Sequence, residues 1–314
     1  MSDALLRAIG TIIAAVIALP FVAWLEGLRG RSSPTAAPGV TAGPQGAVAA
    51  WATAIKLLEK RAPRTAGTDR LLYASAPILA IIPTLAVPAI IPLQRDDPVA
   101  ATLPFVMALS LLSTGAVALA GWGSGNRLAH LSALRLVALR VTVLVILAAS
   151  SLAVLRDAGS LQLGHLIEAQ TRNLLGALPR WGLFIAPTGF FAALVALAIH
   201  AQLVLRARSE PTLAEPWYGG ATGPILLGHR IFESLDLLAG ACLLAVVFLG
   251  GWHVPVIDLP EPVATVCKVA IALAMIVGVR NALPTSLTPA LAVRLCYVGL
   301  LPLAVLALVL LELL

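Results

Sequence analysis

The residues most able to do chemistry in this chain are charges placed inside long apolar runs. Arg140 and Lys268 are the deepest bases, and Glu233 and Asp236 stand one helical turn apart in a third run. An ionised side chain in hydrocarbon is costly unless it is paired or hydrated. Two readings of these four residues therefore stand together. They form a polar track or ion-pair relay through a bundle, or each sits near an interface, where a long side chain snorkels to water or makes one structural ion pair. An absence narrows the first reading. No Asp or Glu occurs between Asp97 and Asp157, so a carboxylate relay cannot run through the two apolar runs there. Such a path would need water, histidine or another subunit.

The five histidines, His130, His165, His200, His229 and His253, are scattered, and no two of them have the spacing of a helical metal site. The residues offer no metal or covalent cofactor site. His200 is the most interesting of the five, although a packing histidine explains it as well. Glu210 and Glu215 follow Arg206 and Arg208 in one loop and read either as a charged mouth to a cavity or as solvated loop residues. The cysteines Cys242, Cys267 and Cys296 all lie in apolar runs and read as small packing residues.

These residues need a frame to hold them, and composition identifies it. Of 314 residues, 60% are hydrophobic, 11% are charged and 5% are aromatic, with a mean hydropathy of +0.97. A soluble domain of this size needs far more charged surface. Crossing the hydrocarbon takes about 20 apolar residues in a helix. Candidate spans are 5–25, 72–94, 98–121, 134–155, 181–205, 232–252, 262–283 and 290–313. The fold class is thus an all-α integral membrane protein with about eight transmembrane helices in one domain, 1–314. The runs are too long and continuous for membrane strands. The first run lacks a signal cleavage site and is expected to be retained. Prolines inside the spans predict kinks.

The net charge of +6 suggests nucleic acid, but the bases sit between the apolar runs, as membrane topology requires. Eight spans place fourteen of the 21 lysines and arginines on one side and five on the other: Arg7, Arg95, Arg156, Arg172 and Arg180. The rich side is expected to be cytoplasmic, with both termini outside. Its largest loop, 26–71, opens with an irregular Pro/Gly/Ser/Thr stretch. It continues into 46–61, a short interfacial helix with Val48, Trp51, Ile55 and Leu58 on one side. A second cytoplasmic loop is 206–228, and 156–180 is the long outer connection. No internal repeat, phosphate loop, C-x-x-C or H-E-x-x-H element is present.

Several segments, in order, resemble the H subunit of bacterial NADH-quinone oxidoreductase, respiratory complex I. This is the subunit-1 family, which also includes membrane subunits of energy-converting hydrogenases. The segment 43–93 is similar to the family's G-P-x-G, then a helix ending I-K-L-L-x-K, then a span opening L-x-x-x-A-P. Glu26 stands 17 residues before Gly43, where the family carries a glutamate. GWGSGNRLAHLSALR (121–135), FESLDLLAGACLLAVVFLGGW (232–252) and VRNALP (279–284), followed by LLP (300–302), resemble later family segments, with Glu233 on a family glutamate. There are departures. SPTAAPGVTAGP (33–44) lacks the family's arginines, LRVTVL (139–144) lacks a glutamate, 199–216 is shortened and poorer in acids, and His200 falls where the family has a glutamate.

The resemblance implies a membrane subunit of an NADH-quinone oxidoreductase. It would bind no cofactor of its own, would scaffold a quinone chamber and would dock peripheral iron–sulfur subunits beside other membrane subunits in a bacterial cytoplasmic membrane. Glu26, Arg29, Lys56, Arg135, His200, Glu210, Glu215 and Arg280 would line the chamber or docking face, and a quinone is the candidate substrate. The thinned acidic chain leaves two alternatives open: a membrane subunit of a hydrogenase or formate-hydrogenlyase-type complex, and a non-catalytic or ion-conducting scaffold of a complex I-derived transporter. Nucleic acid is not an expected partner.

Overall fold

The computed structural model describes residues 52, 54–60, 67–91, 101–174, 178–206, 219, 221–254, 260–284 and 287–313. The first expected span, 5–25, and most of the two loops expected to be cytoplasmic lie outside the described residues. Seven helices among those described are long and apolar enough to cross a membrane. They are α1 (Arg70–Ile90), α2 (Leu103–Gly123), α3 (Arg127–Ala158), α6 (Pro187–Arg206), α7 (Gly223–Phe248), α8 (Glu261–Ala282) and α9 (Pro289–Leu313). Two short helices, α4 (Leu163–Gln170) and α5 (Gly182–Ile185), lie between α3 and α6. A hairpin of two-residue strands, β1 (Asn173–Leu174) and β2 (Leu178–Pro179), sits between these short helices in the chain. Helix is the one open spanning form that satisfies every peptide group within its own segment.

Several boundaries differ from the sequence expectation: α6 starts at Pro187 and not at 181, after the separate short α5, and three earlier starts have a local cause. α1 starts at Arg70 because Asp69 caps it: its Oδ1 accepts from Leu71 N (3.0 Å) and Leu72 N (3.2 Å). α3 starts at Arg127, ahead of the expected 134, because Asn126 Oδ1 accepts from Leu128 N at 2.9 Å. α7 starts at Gly223, not 232, with Pro224 where its missing N–H costs nothing. Glu233 and Asp236 therefore sit well inside α7, a correction to their expected place at a helix start. The expected loop 156–180 is partly ordered by α4 and the hairpin. Of the interfacial helix, residues 54–59 are helical, with Ile55 and Leu58 exposed and Leu57 buried. Val48 and Trp51 lie outside the described residues.

The chain divides into two compact units whose boundaries fall at the last residue of α1 and inside α2, α3, α6 and α7. The first holds residues 1–89, 112–137 and 204–237. Its core is built of small residues, Ala76, Ala80, Ala116, Ala120 and Ala133, around Val117, Leu136 and Phe232. Small side chains let helices approach closely where no hydrophobic force separates lipid from protein. The α2–α3 turn is tied to the start of α1 by Asp69 N donating to Gly123 O (3.0 Å) and Thr68 Oγ1 donating to Ser124 O (3.3 Å). Gly125 makes this turn at φ +68°, and a Cβ there would lie 2.4 Å from the Gly67 carbonyl oxygen.

The second unit holds 90–111, 138–203 and 238–314. Its connecting segments are stitched by backbone and amide bonds. Leu103 N donates to Leu161 O (3.0 Å) and Leu163 N to Ala101 O (2.9 Å). The buried Gln170 amide donates to Val246 O (3.2 Å) and Val247 O (3.1 Å), while its Oε1 accepts from Gly182 N (3.0 Å). These bonds satisfy carbonyls at the end of α7 and the first N–H of α5. α9 is capped by Thr288 Oγ1, which accepts from Leu291 N (3.3 Å), and widens to a π turn over Cys296–Leu300 just before Pro302. The wider turn relieves the clash a proline ring makes with the carbonyl four residues back.

Gly125→Ala is expected to destabilise the protein by about 2 kcal/mol, since it adds both left-handed strain and a backbone clash. Gly115→Ala, on α2 with no atom within 4 Å of its would-be Cβ, is the control. Thermal midpoints in detergent should fall only for Gly125→Ala.

Candidate functional site

Each unit contains its own set of buried polar groups. In the first, α7 carries His229, Glu233 and Asp236 at positions i, i+4 and i+7, which is one helix face. His229 and Glu233 are buried and Asp236 is half-buried. Phe232, their neighbour in sequence, belongs to the apolar core of the unit. Ser234 Oγ bonds back to Arg230 O at 3.0 Å, which satisfies the hydroxyl within its own helix. On α1, the Tyr73 hydroxyl donates to Gly219 O at 3.5 Å. A carboxyl and an imidazole on one helix face can each take up or release a proton. His229 is the member of this face that the histidine spacing does not single out. Its signal is the four-residue spacing to Glu233, which spacings among histidines alone do not contain.

In the second unit, Arg140 on α3, His200 on α6, and Lys268 and Arg280 on α8 are all buried. Lys268 Nζ donates to the His253 carbonyl and lies 4.4 Å above the Trp181 ring. A carbonyl dipole and an aromatic face together stabilise an ammonium that has left water. Of the relay and the local structural role, this geometry favours the local role for Lys268. The Trp181 ring is held in turn by the turn after α7: Gly250, at φ +73°, leaves room where a Cβ would meet the indole at 2.6 Å. Burial pushes the His253 imidazole below its ordinary pKa, and the Lys268 charge adds to that. Arg180 pairs with Asp157 through two hydrogen bonds, and Arg156 pairs with Glu312.

The remaining sequence-predicted residues are dispersed. Arg135 and Lys56 are exposed in the first unit. Glu26, Arg29, Glu210 and Glu215 lie outside the described residues. No group of three or more His, Cys, Asp or Glu among the described residues is placed to hold a metal ion.

With this geometry in view, comparison with known proteins gives a consistent result. A family model described as NADH dehydrogenase matches residues 7–312. The chain is 34% identical over 248 residues to the H 2 subunit of NADH-quinone oxidoreductase from Cereibacter sphaeroides, covering 77% of this chain and 75% of that one. It is 29% identical over 262 residues to the H subunit of the same enzyme from Burkholderia ambifaria, covering 77% and 72%. It is 26% identical over 303 residues to the H subunit from Cupriavidus metallidurans, covering 89% and 83%.

The lowered His253 pKa gives a signed pH dependence. A base whose folded pKa lies below its unfolded value adds stability above the unfolded value, about 6.5, and that stability is lost as pH falls from there toward the folded value. Thermal midpoints of the wild type should therefore drop between about pH 7 and pH 5, and His253→Gln should flatten this component of the slope. An unchanged slope in the variant would show that the imidazole contributes nothing.

Proposed function

The chain belongs to the NADH dehydrogenase family, the subunit-1 family of complex I, and from that premise we propose that it is the membrane subunit of a complex I-like oxidoreductase that scaffolds the quinone chamber and docks peripheral iron–sulfur subunits. Electrons would pass through those partners and not through this chain. Its own contribution is a dry helical frame with titratable groups set inside it. The observation that carries the reading is Glu233, buried on one face of α7 with His229 a turn away and Asp236 beyond it, in a chain whose relatives are named as NADH-quinone oxidoreductase subunits. In this reading the basic-rich side faces the cytoplasm of a bacterial cell.

One observation favours a second reading. α2, and α3 as far as Asp157, contain no carboxylate at all. A subunit relieved of quinone-linked proton traffic would show this pattern, as in a hydrogenase-type complex of the same family.

The assembly purified in mild detergent through a tag on this chain decides between them. Iron–sulfur subunits with an NADH-oxidising module support the main reading, a nickel–iron large subunit supports the second, and isolation of the chain alone sinks both. Within an intact assembly, Glu233→Gln is expected to lower quinone reduction by roughly 100-fold while leaving the subunit composition unchanged.

A further inference from the structure

α9 leaves one backbone acceptor without a donor, and the cause is in its sequence. A helical carbonyl is met by the N–H four residues on, or five in a π turn. For Tyr297 these belong to Leu301, whose N–H goes to Cys296 O, and to Pro302, which has none. The Tyr297 carbonyl therefore has no donor within its own helix, and no side chain among the described residues reaches it.

Its depth follows from α9 alone. The 25 residues of the span measure about 37 Å, against a hydrocarbon core of about 30 Å. Glu312, one residue from the far end, is exposed in its pair with Arg156, so the core ends there at the latest. Tyr297 stands about 12 Å from the first residue of the span and so lies about 7 Å or deeper below the near boundary of the core. The Tyr297 side chain can tilt back toward the helix start and reach the interface. The carbonyl points the other way and cannot, and an unmet peptide group in hydrocarbon is strongly disfavoured.

The surface around this carbonyl is open. Tyr297 is 47% exposed and Val298 71%. Gly299 is exposed as well, and a Cβ built on it would meet nothing within 4 Å. One turn nearer the helix start, Arg294 is exposed and pairs with no carboxylate among the described residues. The two groups call for different partners: Arg294 for negative charge at the membrane edge, and the Tyr297 carbonyl for a hydrogen-bond donor below it. Lipid meets the first with phosphate but has no donor at the depth of the second. A second copy of this chain laid parallel on the same face would set Arg294 against Arg294.

We infer that the Arg294–Gly299 stretch of α9 receives a transmembrane helix of a different chain, one that carries a carboxylate at its membrane edge and a Ser, Thr, Asn or Gln about one turn deeper. The carboxylate pairs with Arg294, the deeper side chain donates to Tyr297 O, and Gly299 gives the clearance for two backbones to approach. The inference rests on the proposed function only for the existence of a multi-subunit assembly. It goes beyond that reading by naming a membrane-embedded surface and the chemistry that fits it.

The test uses the tagged assembly with a photo-crosslinking amino acid at Val298. It is expected to capture one membrane-spanning subunit, through a peptide holding an acidic residue and one of the four donors about a turn further into its span. Pro302→Ala returns an N–H to the helix, so the Tyr297 carbonyl no longer needs an outside donor. That variant should release the captured subunit about fivefold more readily in detergent, with the thermal midpoint of the chain unchanged or higher. Arg294→Gln should weaken retention of the same subunit at low salt. Capture of lipid alone, of a second copy or of another segment of this chain overturns the inference. So does a captured segment lacking either group, or a Pro302→Ala assembly that holds the subunit as firmly as the wild type. In each of those cases the other subunits are still present and the proposed function survives. A tag that retrieves this chain alone defeats both.

Discussion

A peptide group in hydrocarbon has no water to bond, and this one constraint orders the molecule. It selects helix for every described span and forces each interruption to be repaired locally. Prolines lie inside α1 at 77, 83 and 88 without ending the helix, and a π turn takes up the strain ahead of Pro302 in α9. Where chain segments must leave helix between α3 and α6, the freed groups are met by a buried amide. Gln170 meets two carbonyls of α7 and one N–H of α5 at once. Removing such a group would leave three buried polar atoms unsatisfied, at about 1–3 kcal/mol each.

The same constraint disciplines the charges. Lys268 keeps its ammonium against a carbonyl and an indole face. The ion pairs Arg180–Asp157 and Arg156–Glu312 lie near the ends of α3 and α9, where partial hydration is available. Glu233 differs in position, being a carboxylate buried far from either end of its helix. Taking a carboxyl group out of water costs several kcal/mol, and this chain accepts that cost one turn from a histidine. Where a membrane protein spends stability on an interior acid, function is the usual return.

Twenty-residue apolar runs admit few alternatives, which is why the fold class was legible in the sequence, and all seven spans expected among the described residues are helices. Boundaries were harder. Hydropathy reports where lipid begins, whereas helices begin where an Asp69 or an Asn126 side chain satisfies the first N–H groups, so α1, α3 and α7 extend past their apolar cores. Buried titratable residues such as Arg140, Lys268 and Glu233 were visible as isolated charges in apolar text. Their surroundings were not. Trp181 and the His253 carbonyl meet Lys268 through distant turns, and no periodicity encodes such a meeting. His229 was readable only as part of a mixed stripe with carboxylates.

α9 combines three traits. A first-turn N–H is met by the Thr288 cap, its far end is tied by Glu312 to Arg156 on α3, and its middle turn is widened. Little of it is buried against the rest of the chain. A helix so exposed must satisfy nearly all its peptide groups from within, and the wider turn over Cys296–Leu300 lets it run on without a break to Pro302, where a residue supplies no N–H.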